Sequence, residues 1–315
     1  MNGESRERER RLRRPGGMMP SGPPRKGEAW VELTGLNSYR VAAVAACCLF
    51  PEDVGALRAA LRAEAGQAVH LLGHGCNVIL AAQRYDATHR FVCTRRLETD
   101  IGVRGELVRA GAGARLRDLC RTAARAGLSG LERLWDIPGS VGGAACMNAG
   151  AYGTSFYDVV AAVEVFDPAT GEVRTLSREA CRPAYRTTVF QSEARGLVIL
   201  AVHLHLAPAN PAAILAGMGR IGKLRRSRLP YNQPSAGSVF RRPEGAPPVG
   251  VIMEEAGLKG FRIGGAQISP RHAGIIVNAG GATGQDILAV VEVMQQAARD
   301  RYGVALALEQ IPIPG

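Results

Sequence analysis

The chain has 315 residues, 46% hydrophobic and 21% charged, a globular balance long enough to build two or three domains without a disulfide framework. Its longest apolar run, Val41–Phe50, is too short to cross a bilayer as a helix. The formal charge of +11 is uneven: residues 1–27 carry +5 among Pro- and Gly-rich stretches with little to bury, which predicts a disordered basic tail rather than a signal peptide or a nucleic-acid-binding domain.

The first ordered stretch reads as a β-α-β unit: strand Tyr39–Phe50, helix Pro51–Glu64, strand Val69–Leu72, and after a Gly-rich turn the strand Val78–Ala81. A strand at Glu106–Ala110, the turn Gly111–Gly113 and a helix over Leu116–Ala126 follow. Asp136–Gly153 reads as a long loop dense in small residues. Strands at Val160–Phe166 and Glu172–Leu176 flank the turn Asp167–Gly171, and Leu197–Leu206 adds another strand. Pro208–Pro211 reads as a linker; beyond it, Ala212–Arg226 and Gln285–Arg301 read as helices separated by short strands. The class predicted is α+β in separate parts, with residues 28–207 (subdomains about 28–95 and 96–207) set apart from 208–302, and 303–315 as a closing segment.

Seven cysteines, an odd number with no C-x-x-C pair, predict reduced thiols in a cytoplasmic protein and no metal site. His203 and His205 alternate within a strand and read as one of its faces.

Two segments carry chemistry. Gly73-His74-Gly75-Cys76-Asn77 lies between two apolar strands, where successive backbone N–H groups can cradle phosphate oxygens; such a turn is equally common as pure structure. It does not open a helix as G-x-G-x-x-G, so a Rossmann site is not supported. The run from Ile137 through Pro138, Gly139, Ser140, Gly142, Gly143, Asn148, Ala149, Gly150 and Ala151 to Gly153 holds five Gly and four Ala. It has too little bulk for a core and too much apolar character for a linker, which suits backbone lying against a large planar or phosphorylated cofactor; tight small-residue packing is the alternative.

Together with Leu36–Tyr39, Gly130-Leu131-Glu132, Ala184-Tyr185-Arg186, Pro234–Phe240, Ala256–Gly260, Ile263–Ser269, His272-Ala273-Gly274, Val277-Asn278 and Leu306–Glu309, these segments resemble, in order, the UDP-N-acetylenolpyruvoylglucosamine reductase family, in its shorter branch. The resemblance covers about residues 30–315. It implies a vanillyl-alcohol-oxidase-like FAD domain in two subdomains and a smaller α+β substrate domain. It also implies FAD held non-covalently by the two Gly-rich segments, and NADPH as hydride donor. The enolpyruvyl ether of UDP-N-acetylglucosamine would be reduced to UDP-N-acetylmuramate for peptidoglycan synthesis, by a monomer.

By the same resemblance Arg186 and Glu309 stabilise the charge formed on the substrate carboxylate, and Ser238 protonates C2. Tyr185, Arg228, Arg242 and His272 are expected near the UDP-sugar, with Arg228 and His272 able either to add positive charge or equally to be solvated surface groups. Cys76 stands where the family usually has a serine, and Thr188 where it usually has one after Tyr-Arg. A related FAD oxidoreductase with another substrate, or a flavin-free UDP-sugar-binding protein, are the alternatives.

Overall fold

The computed structural model describes residues 30–62 and 66–315, so the expected basic tail, residues 1–27, lies outside the described residues. The first sheet has four strands in the order Val31–Glu32, Val44–Leu49, Arg84–Cys93, Ala68–Leu72. Val44–Leu49 and Ala68–Leu72 both run parallel to Arg84–Cys93, which lies between them. The β-α-β crossing is therefore present, over helix Val54–Leu61, but its two strands do not touch.

Two expectations change here and one strand is added. The strand predicted from Tyr39 starts only at Val44, because the Asn37 side chain takes the backbone of Val41, donating to its carbonyl (3.1 Å) and accepting from its N–H (3.1 Å). The strand at Val78–Leu80 leaves this sheet and pairs in parallel with Ile311–Ile313, a pairing that begins where Ile311 N donates to Asn77 O (2.9 Å). And Arg84–Cys93 is itself a strand that the sequence did not announce, since Arg84, Asp86, His89 and Arg90 interrupt its apolar pattern.

The second sheet is antiparallel, in the order Glu172–Ser177, Val160–Asp167, Val198–His205, Leu107–Gly111, Ile101–Arg104. The hairpin between its first two strands turns as predicted: Gly171 N donates to Asp167 O (2.7 Å) with Gly171 at φ +75°. One face is covered by helix Leu116–Arg125, which buries Leu116, Leu119, Cys120, Ala123 and Ala124. Ile214 and Met218 of helix Pro211–Arg228 join the same core. Asp136–Gly153 is not all loop: Val141–Met147 is a helix, capped where Gly143 N donates to Ser140 Oγ (3.1 Å) and ended by Asn148 at φ +43°.

A third, three-stranded sheet (Arg262–Ile263, Ala266–Ile268, Ile276–Asn278) packs against helix Gly284–Tyr302, which begins with a Thr283–Asp286 capping box. Its core is continuous with that of the first sheet: Leu33, Tyr39, Tyr85 and Phe91 share one cluster with Val239, Ile252, Ile276 and Met294. This shared core brings the C-terminal segment back to the Gly73–Asn77 turn. No helix among the described residues is long and apolar enough to cross a membrane.

Candidate active site

The turn Gly73–Asn77 is tightly specified by protein neighbours. Gly75 sits at φ +65°, and a Cβ there would lie 1.9 Å from Leu36 O. The neighbouring Ser38 N donates to Gly75 O (2.9 Å). Arg95 fixes the other side, donating from Nε to Gly73 O (3.3 Å), from Nη2 to His74 O (2.9 Å) and from Nη1 to Gly35 O (3.0 Å). Three backbone carbonyls on one planar guanidinium explain why this site needs an arginine; no motif pointed to it.

His74 Nε2 lies 3.2 Å from Gly113 O, and burial pushes the ring's pKa down, so it stays neutral and donates from Nε2. Burial pushes the Cys76 thiol up, which keeps it protonated and unreactive at neutral pH. Asn77 Nδ2 donates to Glu309 O (2.9 Å), tying the turn to the segment just before the chain's last strand.

The Gly-rich run closes on this turn. A Cβ at Gly73 would come within 2.9 Å of Ser140 Oγ, and one at Gly139 (φ +129°) within 3.8 Å of Cys76 Cβ. Gly142 N donates to Ala112 O (2.9 Å), and a Cβ on Gly142 would lie 2.9 Å from Ala112 Cβ. The glycines therefore serve first to let these segments approach one another. Beside them lies a cavity of about 310 Å³ whose lining includes His74, Arg95, Thr99, Gly113, Arg115 and one acid, Asp118. Near the turn, Ser38 Oγ is buried with no hydrogen-bond partner among the described residues. An orphaned hydroxyl, two guanidinium groups and a backbone-lined cleft fit a phosphorylated cofactor.

Past the helix, Asn148 holds the run in shape: Nδ2 donates to Ala184 O (2.8 Å) and Oδ1 accepts from Tyr157 N (3.2 Å). That first bond sets the tight turn Ala184–Thr187, in which Arg186 occupies the left-handed region at φ +54°. The Arg186 guanidinium donates to Asn148 O (3.2 Å) and to Gly150 O, and its Nε lies 3.1 Å from Glu309 Oε1. The Tyr185 ring stands 5.3 Å from the same guanidinium. Both charged partners are largely buried, Arg186 at 19% and Glu309 at 16% side-chain exposure.

Burial pushes the Glu309 carboxyl up; Arg186 and then Arg241 pull it back, with burial prevailing. Ser238 is carried on the segment that pairs with Glu309: Glu309 N donates to Val239 O (2.9 Å), and Gln310 Nε2 lies 3.2 Å from Gly237 O and 3.3 Å from Ser238 O. Ser238 itself is exposed.

Of the residues expected near substrate, Tyr185 and Arg242 meet, Arg242 N donating to the Tyr185 hydroxyl (3.4 Å). They line an open groove of about 770 Å³ with Pro243–Pro247. Arg228 ends helix Pro211–Arg228 on the exposed surface. His272 corrects its expectation of positive charge. Its Nδ1 accepts from Gly274 N (3.2 Å) and burial pushes its pKa down, so the ring is neutral near pH 7. Arg241, Gln191 and Gln310 act through contacts between segments distant in the chain, which residue spacing does not record.

A family model described as "FAD binding domain" matches residues 45–177, and one described as "UDP-N-acetylenolpyruvoylglucosamine reductase, C-terminal domain" matches residues 229–312. The chain is 36% identical over 284 residues to the UDP-N-acetylenolpyruvoylglucosamine reductase of Francisella tularensis, covering 90% of this chain and 99% of that one. It is 39% identical over 261 residues to that of Thermotoga maritima, covering 83% and 89%. Among solved structures, the reductase of Thermus caldophilus superposes with a TM-score of 0.76 at 31% identity, covering 91% of this chain and 99% of that one. The chain belongs to the UDP-N-acetylenolpyruvoylglucosamine reductase family.

Proposed function

We propose that this protein is the NADPH-dependent, FAD-containing enzyme that reduces UDP-N-acetylglucosamine enolpyruvate to UDP-N-acetylmuramate, acting as a cytoplasmic monomer. The observation that carries the reading is the buried Arg186–Glu309 pair at 3.1 Å, whose arginine is also held by carbonyls of the Gly-rich run. Gly73–Asn77, Ile137–Gly143 and Asn148–Gly153 would hold the flavin, which when bound takes a hydride from NADPH and passes it to C3 of the enolpyruvyl group.

Arg186 binds the substrate carboxylate, because its charge is permanent and its fork of N–H groups is fixed by Asn148 and Gly150. As negative charge grows over C2 and that carboxylate, the guanidinium is already in position and needs no reorganisation. Glu309, whose ionisation burial already disfavours, takes up a proton as the substrate carboxylate displaces it from Arg186, and so offers a hydrogen bond instead of repulsion. Ser238 Oγ–H protonates C2. Residues 208–302 form the substrate side, with the Tyr185–Arg242 groove and Arg228 toward the UDP.

The test is anaerobic. The purified protein should show a flavin absorbance band that bleaches with NADPH and returns with the enolpyruvyl nucleotide, and mass spectrometry should find a product two mass units heavier (two hydrogens added). A colourless protein, or a bleached flavin that this substrate does not re-oxidise, would sink the reading.

A further inference from the structure

Arg241 Nε is buried and has no hydrogen-bond partner among the described residues. Leaving a guanidinium nitrogen dry and unpaired is costly, and such an arrangement persists only where something else draws the charge inward. Two groups do so. One is Glu309, carried on the segment that pairs with Arg241's own: Arg241 N donates to Ala307 O (2.9 Å), Phe240 bridges Leu308, and Glu309 N donates to Val239 O. The other is Gln191, whose Oε1 accepts from Arg241 Nη2 (3.2 Å).

Gln191 cannot turn round. Its Nε2 donates to two carbonyls, Arg186 O (3.1 Å) and Cys146 O (2.9 Å), so only Oε1 is left to face Arg241. One amide thus joins the backbone of Arg186, the end of helix Val141–Met147 and Arg241.

We propose that Arg241 is a positioning residue of this active site, holding Arg186 in place from both ends: its backbone through Gln191 and its guanidinium through Glu309. Among the described residues the Arg241 side chain hydrogen-bonds to Gln191 and forms no ion pair with Glu309. This rests on the reading of Arg186 and Glu309 given above. The charged groups acting on the Glu309 carboxyl are Arg186, from the Ala184–Thr187 turn at 3.1 Å, and by its longer-range field Arg241, from the segment paired with Glu309's own; Asn77, from the Gly73–Asn77 turn, holds only the Glu309 main-chain oxygen. With Arg241 gone, burial is opposed by one cation instead of two. The carboxyl then protonates at higher pH, and Arg186 loses its partner in the resting enzyme.

Glu309 can be read directly in the holoenzyme by ¹³C NMR of labelled glutamate carboxyls, its resonance identified by its loss in Glu309→Gln. In Arg241→Gln its titration midpoint should move to higher pH, and Arg241→Lys should bring it back. Substrate-driven flavin re-oxidation in Arg241→Gln should fall at every pH through the lost Gln191 contact, and by about a further tenfold at the acid end of the profile, where Arg186 is left unpaired before substrate binds. Bleaching by NADPH should not change. An unmoved Glu309 midpoint, or a loss of rate that is uniform across pH and shared by the Gln and Lys variants, overturns the proposal. Should the unaltered protein not reduce the enolpyruvyl nucleotide at all, the functional reading falls, while the Glu309 midpoint still decides whether Arg241 governs the pair.

Discussion

The Tyr39 hydroxyl donates to Gln310 Oε1 at 2.9 Å, and this leaves the Gln310 amide nitrogen to reach Gly237 O and Ser238 O. Tyr39 is 1% exposed and Gln310 2%, so the backbone of Ser238 is held from behind by a buried pair while its side chain faces outward. The consequence is a clean separation of structure from chemistry at that serine.

Ser238→Ala should therefore leave folding and flavin colour intact. Bleaching by NADPH, which needs no proton at C2, should be unchanged, while re-oxidation by substrate should slow by about 10²- to 10⁴-fold, the usual worth of a positioned proton donor. Stopped-flow absorbance separates the two halves. Equal slowing of both would mean a structural defect, and slowing of neither would assign the proton elsewhere.

Arg186→Lys keeps the charge but not the planar fork that reaches Glu309, Asn148 O and Gly150 O together. Re-oxidation should slow by roughly 10²-fold or more, with flavin reduction unaffected. If only the substrate KM rises, Arg186 serves binding and not the transition state.

Two glycines of the turn should differ. Gly75→Ala forces a Cβ to 1.9 Å from the Leu36 carbonyl at φ +65°, a backbone clash with nowhere to go. It should cost more than about 3 kcal/mol and strip the protein of flavin. Gly73→Ala meets only the Ser140 hydroxyl, at 2.9 Å, which can rotate at the expense of its cap on Gly143. Its cost should stay near 1 kcal/mol. Thermal melts and the flavin-to-protein ratio rank the two, and equal behaviour would refute this account.

Away from the site, Glu164 accepts two hydrogen bonds from Arg109 (3.0 and 2.8 Å) and lies 2.5 Å from His203 Nε2. The arginine above all, with the histidine, pulls its carboxyl down to about 2. Because the folded value lies below the unfolded one, this stabilisation is complete above the ordinary glutamate range and disappears as pH falls toward 2. Glu164→Gln should lose about 1 to 2 kcal/mol at pH 7, read from urea midpoints, and the gap to the parent should close between about pH 4.5 and 2. A gap that is constant with pH would contradict the ion-pair origin.

Much of this was legible locally. Helix Gly284–Tyr302 announces itself because its capping box and apolar spacing agree within a single segment, and Pro211–Arg228 because its Asn210 cap, Pro at the first position and basic last turn mark both ends. The Asp167–Gly171 hairpin does so because the turn needs only its own residues. The ordered motifs identified the family and nominated Arg186, Ser238 and Glu309, since a motif records residue types at fixed spacing. Helix Val141–Met147 escaped notice because Gly and Ala show no apolar periodicity, and its Ser140 cap reads as an ordinary loop serine. The tertiary structure decided what depends on neighbours remote in sequence. It paired Val78–Leu80 with Ile311–Ile313, locked Arg95 onto three carbonyls, set His272 neutral and joined Arg241 to Gln191. It also showed that Gly75 is glycine for the sake of the Leu36 carbonyl. Burial, field and contact are sums over atoms brought together by folding, and no stretch of sequence carries them alone.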